Sequence, residues 1–163
     1  MSSESPVTDT PITAEGIVVS AVHSLAKSKD ASFFRLRRGS ELLHAMLEPV
    51  FPQVRERLRN ADIRWVRDDN LACTLLLLPH VTKGTAPLAK QLAAKNYSTL
   101  RFQRLVAAED IPELFTQLQR AVQFLKGDVS AFDLTKLVLD WTEANRDTRR
   151  KRLIAQYYGM SEN

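Results

Sequence analysis

The chain has 163 residues, enough for one domain or for two small helical lobes sharing a core. Hydrophobic residues make up 44% and charged residues 26%, the balance of a soluble globular protein, and five glycines with seven prolines are too few for a turn-rich β fold. A formal net charge of +4 favours anionic partners such as phosphate backbones, and the lone cysteine, Cys73, excludes a disulfide framework or a thiolate metal cluster.

Residues 1–12 are rich in Ser, Thr and Pro and lack an apolar run. They read as a loose tail, neither signal peptide nor membrane span, which makes the protein cytoplasmic by expectation and leaves residues 13–163 as the helical domain. Ile17, Val18, Ala21, Val22 and Leu25 follow the 3.6-residue period and predict a helix over 14–27. Asp30 is the expected N-cap of a short helix ending at Gly39. A turn or two follows from Ser40 and stops near Pro49 and Pro52, with a short helix over 53–60. Residues 68–78 form a strongly apolar segment opened by Asp68 and Asp69. A buried strand competes over Leu75–Leu78, but no second β-rich segment exists to pair with it.

The loop around Gly84 and Pro87 leads to helices over 87–95 and 98–108. Ile111, Leu114, Phe115, Leu118, Val122 and Leu125 share one face of the next helix, between Asp110 as cap and Gly127. Phe132, Leu134, Leu137, Val138 and Trp141 define another, and Leu153, Ile154 and Tyr157 the last. The fold class is therefore all-α, a compact bundle of about eight to nine helices, with a division into two lobes left open.

A catalytic centre is not legible. His23, His44 and His80 are isolated, no carboxylate cluster has metal-ligand spacing, and Lys83-Gly84-Thr85 lacks the glycine-rich lead of a phosphate-binding loop. Asp68-Asp69 and Glu109-Asp110 precede helices, where capping accounts for them. Cys73 reads as a small core residue. The expectation is no enzyme, no cofactor and no metal.

The cations are more informative. Residues 31–67 carry eight arginines against four carboxylates, and residues 68–108 five basic groups against two acidic. Arg35, Arg37 and Arg38 crowd one short helix, and Arg101 and Arg104, three apart, share a face beside the apolar Phe102, Leu105 and Val106. Arg149, Arg150, Lys151 and Arg152 open the last helix, where the dipole opposes positive charge. Either they have a ligand, or they pair locally with Asp140 and Glu143. Trp65, between Arg64 and Arg67, is more simply a core anchor than a stacking platform. Candidate nucleic-acid contacts are Arg35, Arg37, Arg38, Arg67, Arg101, Arg104, Arg120, Arg149, Arg150, Lys151 and Arg152.

Several segments in order resemble one family. Leu36-Arg37-Arg38-Gly39 resembles its early arginine motif. Leu75–His80 with Gly84, Thr85 and Leu88 is similar to its apolar helix, histidine and loop. Leu100–Ala108 is the most specific match, followed by Leu114–Leu125, Leu137–Trp141 and Arg149–Tyr158. The resemblance, over roughly residues 30–158, is to the CasB-type small subunit of the type I-E CRISPR surveillance complex, Cascade. Ala131-Phe132 stands where that family has Asp-Trp, and Leu153 or Ile154 replaces a tryptophan.

The resemblance implies a non-enzymatic helical subunit, present as two head-to-tail copies beside other Cascade subunits. Its partners would be guide RNA and target DNA, whose opened strands (the R-loop) it would hold during antiviral defence. Base pairing would supply sequence specificity, and protein contacts to backbone would tip a nearly balanced strand exchange. The competing reading is a helical DNA-binding regulator or protein-interaction module, with residues 86–106 as a helix–turn–helix and Asn96 in its turn.

Overall fold

Thr13 opens the first helix by accepting a 3.0 Å hydrogen bond from the Gly16 N–H, one of the donors a helix start leaves without a backbone partner. Ten α-helices follow in the computed structural model, which describes residues 12–160. The expected tail over 1–12 lies, except for Ile12, outside the described residues. The helices are α1 Ala14–Lys27, α2 Ala31–Arg38, α3 Leu42–Met46, α4 Val50–Asn60, α5 Asp68–Leu77, α6 Leu88–Ala94, α7 Thr99–Val106, α8 Ile111–Phe124, α9 Ala131–Leu139 and α10 Arg146–Tyr157. A 3₁₀ turn, Leu78–His80, extends α5. No strand occurs among the described residues, so the all-α expectation holds, and α3 is the short turn expected between Ser40 and Pro49.

Side-chain caps fall where the sequence placed them: Asp30 accepts from Ser32 N–H at 2.8 Å and Asp110 from Glu113 N–H at 2.9 Å. Helix α4 starts three residues before the expected 53. Pro52 lies within its first turn, where a missing N–H has no intrahelical partner to lose, so the proline begins a helix instead of stopping one.

The centre is α5. From Asn70 to Leu77 every residue is buried, and Leu71, Leu75, Leu76 and Leu77 are sealed from solvent. A helix apolar on all sides must be enclosed, and α3, α8 and α9 surround it. Each such leucine contributes about 1.5–3 kcal/mol of transfer free energy. Around this axis α1 packs on α4 and α9, and α10 on α6 and α7. The buried apolar side chains form one continuous cluster from Ala14 to Leu153. Two aromatic expectations fail. Trp65 is 50% exposed rather than a core anchor, because its loop between α4 and α5 buries Val66 instead. Phe132 is also exposed, since it falls in the first turn of α9 before the helix enters the core.

Asn70 fixes the depth of α5. Its Nδ2 donates to the Val138 carbonyl at 2.8 Å, which also accepts the Trp141 N–H, and to the Trp141 carbonyl at 3.1 Å, so it binds the chain just past the end of α9. Trp141 is buried, and its Nε1–H donates to Ala108 O at 3.2 Å, tying the end of α9 to the end of α7.

Two loops clamp the α5–α6 connection to the α8–α9 connection. Thr82 N–H donates to Gly127 O, Val129 N–H to Lys83 O, and Ser130 N–H to Ala86 O, at 2.9–3.0 Å. Gly127 has φ +78°, and a Cβ there would lie 2.3 Å from the His80 carbonyl oxygen. The Gly84-Thr85 turn is one half of this clamp. Gly127→Ala therefore combines left-handed strain with a backbone clash. Gly159, also left-handed but facing open space, carries only the strain, about 1–2 kcal/mol. Thermal melts should show Gly127→Ala losing roughly twice the Tm loss of Gly159→Ala or more. Equal losses would mean that the clamp yields.

Candidate nucleic-acid interface

The expected basic residues separate into two populations. The first is committed to the fold. Arg35 makes a two-pronged contact with Glu48, Nε to Oε1 at 2.6 Å and Nη2 to Oε2 at 3.0 Å, and also donates to Ser32 Oγ. Those hydrogen bonds, opposed by burial, hold the Glu48 carboxyl below its ordinary range. Arg149 pairs with Asp140, both largely buried. Arg150 donates from Nε to Val106 O and from Nη2 to Ala108 O, each at 2.7 Å, and its guanidinium lies 5.6 Å over the Trp141 ring. It is thus a cation at the C-terminal end of α7, where the helix dipole favours positive charge. Asp147 and Glu109 flank it. The dipole conflict expected for the 149–152 run is met at Arg149 and Arg150 by neighbours from α7, α9 and their loops. In the same run Lys151 and Arg152 are exposed, Arg152 lining a crevice with Asp133 and Gln156.

The second population is turned outward. Arg37, Arg38 and Arg67 are exposed. Arg37 lies beside His80, whose imidazole is held below its ordinary pKa by burial and, secondarily, by that positive charge. Arg67 opens on a cleft with Asp68, Asp69, Glu109, Asp110 and Glu143, which opposes an anion.

Arg101, Arg104 and Arg120 come together. The first two project from α7, and the third joins them from α8, which packs alongside. With Gln117, Gln123 and Phe124 they line an open cleft of about 570 Å³. No carboxylate lines it, and among the described residues none of these three arginines forms an ion pair. Ser98 starts α7 by accepting from Arg101 N–H, while Phe102 and Leu105 are buried on the adjoining stripe, which leaves both arginines outward.

Beneath the cleft is Tyr97, 3% exposed, its ring edge-on to Phe124 with centroids 4.9 Å apart. Its hydroxyl is buried without a hydrogen-bond partner, and it lies close enough to Arg101 and Arg120 to feel their charge. Burial nonetheless holds the phenol above its ordinary pKa. The sequence had signalled Arg101, Arg104 and Arg120, but not Tyr97, Gln117, Gln123 or Phe124, because aromatics at helical spacing look like core.

Among the described residues no group of three His, Cys, Asp or Glu could hold a metal ion. Cys73 is fully buried, and burial pushes its thiol far above its ordinary pKa, against a nucleophilic role. His44 is structural, its Nδ1 accepting from Ser40 and Glu41 N–H at the start of α3. No described helix is long and apolar enough to cross a membrane. The helix–turn–helix alternative also weakens, since α6 packs chiefly on α10 and α7 on α8.

The described residues form an all-helical fold in which Arg101, Arg104 and Arg120 line one cleft. The family model for CRISPR-associated protein Cse2 matches residues 34–158, and the chain belongs to that family. The family makes it a CRISPR-associated protein of the kind that serves as a Cascade subunit. Its fold is similar to that of a CRISPR-associated Cse2-family protein from Thermus thermophilus, with a TM-score of 0.70 at 21% identity over 91% of this chain and 99% of the other. It is similar also to a structure of CasB from Thermus thermophilus, with a TM-score of 0.65 at 20% identity over the same shares. No curated protein matches the sequence significantly.

The double role of Arg150 gives a prediction. Arg150→Met keeps an apolar stem over Trp141 but leaves the Val106 and Ala108 carbonyls without their charged donor, a loss of about 1.5–3 kcal/mol. At about 2–4 °C per kcal/mol for a chain of this size, Tm should fall by roughly 3–12 °C. An unchanged melting curve would return Arg150 to the set available for a ligand.

Proposed function

We propose that this protein is a non-catalytic small subunit of a type I-E Cascade complex, which binds nucleic-acid backbone and stabilises the guide RNA–target DNA R-loop in antiviral defence. It acts in the cytoplasm with other Cascade subunits and with a second, head-to-tail copy of itself, and needs neither cofactor nor membrane. The observation that carries this reading is the convergence of Arg101, Arg104 and Arg120 on one cleft that contains no carboxylate.

Three guanidiniums around one cleft repel one another, and a bound polyanion removes that repulsion while releasing its own condensed counterions. Such contacts are blind to sequence, which suits a subunit of an assembly whose guide RNA reads the target. Exchanging a DNA duplex for an RNA–DNA heteroduplex is nearly balanced, so a few phosphate contacts suffice to shift it. Arg37, Arg38, Lys151 and Arg152 extend the contact surface, whereas Arg67 faces carboxylates and is left out of it. Arg35, Arg149 and Arg150 support it by holding α2 and the ends of α7 and α9.

The test is a salt titration of DNA binding with Arg101, Arg104 and Arg120 replaced together by alanine. Affinity should drop about equally on unrelated sequences. The slope of log K against log salt should flatten by roughly 0.7 per lost contact on single strands and 0.9 on duplex. A variant that melts like the unaltered protein yet keeps its affinity and slope would contradict the assignment. In an assembled complex the same change should shorten the lifetime of opened DNA more than it impairs guide loading.

A further inference from the structure

We propose that the α7–α8 cleft accepts an unpaired nucleotide, its base laid on the Phe124 ring and its phosphate held by Arg101, Arg104 and Arg120, so that the site selects single-stranded over duplex nucleic acid. The proposal rests on the backbone-binding reading above and adds to it the form of the strand.

Charge alone would meet the needs of backbone contact, but this cleft holds more than charge. Phe124 is 40% exposed within a concavity lined by cations, a wet setting for an apolar ring. It is also held in place, since Tyr97 meets it edge-on from below at an interplanar angle of 60°. A fixed aromatic ring with an open side, flanked by arginines, is the arrangement on which proteins stack bases of single strands.

The spacing along α8 fits a nucleotide. Arg120 and Phe124 are four residues apart and therefore neighbours on the helix surface, about 5–6 Å between Cβ atoms. A phosphate on the first would leave its base within reach of the second. Gln117 and Gln123 offer uncharged amides that both donate and accept, able to meet the edge of any base without selecting one.

Tyr97 acts from the core: it is 3% exposed and does not line the cleft, so its contribution is the edge-on contact that fixes the Phe124 ring. A duplex presents phosphates as well, but its bases are stacked inside the helix and cannot reach Phe124.

The experiment measures binding of the full chain by fluorescence anisotropy to three probes: oligothymidylate, a strand of the same length made of abasic sites, and a duplex of that length. Oligothymidylate should bind tightest. Phe124→Leu, which keeps an apolar side chain but removes the π face, should weaken oligothymidylate binding by roughly 5–150-fold while leaving the abasic strand and duplex unchanged. Phe124→Tyr should retain the preference. Melting curves confirm that each variant is folded.

Equal loss on all probes with Phe124→Leu, no loss on any, or a preference for duplex by the unaltered protein would overturn the proposal. The arginine triple variant separates the two ideas. If it loses binding to every probe while Phe124→Leu is silent, backbone binding stands and the stacked base falls. If it loses nothing, the backbone reading falls and this proposal with it.

Discussion

One buried amide holds the helices of this protein in register. Asn70 stands at the start of a helix with no solvent face, and its Nδ2 reaches across to the final carbonyls of α9 and to Trp141. Trp141 passes the constraint to the end of α7 through its indole N–H, and Arg150 closes it from α10. A relay of charged and neutral hydrogen bonds thus fastens the ends of three helices around the core. A buried polar group with every bond made can specify one packing where apolar contacts alone would allow several. The orientation of α7, and with it the direction in which Arg101 and Arg104 project, follows from that fastening.

The arginines have two uses, and their surroundings tell them apart. Those within reach of a carboxylate or a helix C-terminus are spent on the fold: Arg35 on Glu48, Arg149 on Asp140, Arg150 on the last carbonyls of α7. Those on the cleft are kept from any carboxylate by helix geometry. On α7 the adjoining stripe carries the buried Phe102 and Leu105, and on α8 the opposite face carries Leu114, Leu118 and Val122. The packing that builds the core therefore also concentrates positive charge on one side. In the proposed role, this stored repulsion is what an incoming phosphate backbone relieves.

How far the sequence revealed this depends on the range of each interaction. Helices α1, α2, α8 and α9 were legible because caps and the 3.6-residue period are local. The start of α4 was not, since a proline that ends one segment can equally occupy the first turn of the next. Arg101 and Arg104 were readable as a pair from their spacing, but Arg120 joins them only through the packing of α7 on α8. The 149–152 run was readable as four successive cations with either a ligand or local partners, and two of its members are taken up by partners that lie 9 to 44 residues away. Tyr97 and Phe124 carried no signal, because nothing local separates a ring that completes a core from one that floors a cleft.

The proposed role requires the α7–α8 cleft to touch nucleic acid when this protein works within its complex. The most direct measurement is ultraviolet cross-linking of the complex, assembled by co-expression with its genomic neighbours and bound to target DNA, followed by mass spectrometry of this subunit's peptides. Nucleotide adducts should then fall on the segments containing Tyr97–Arg104 and Gln117–Phe124. Adducts confined to other faces of the subunit, or none while neighbouring subunits cross-link, would contradict it.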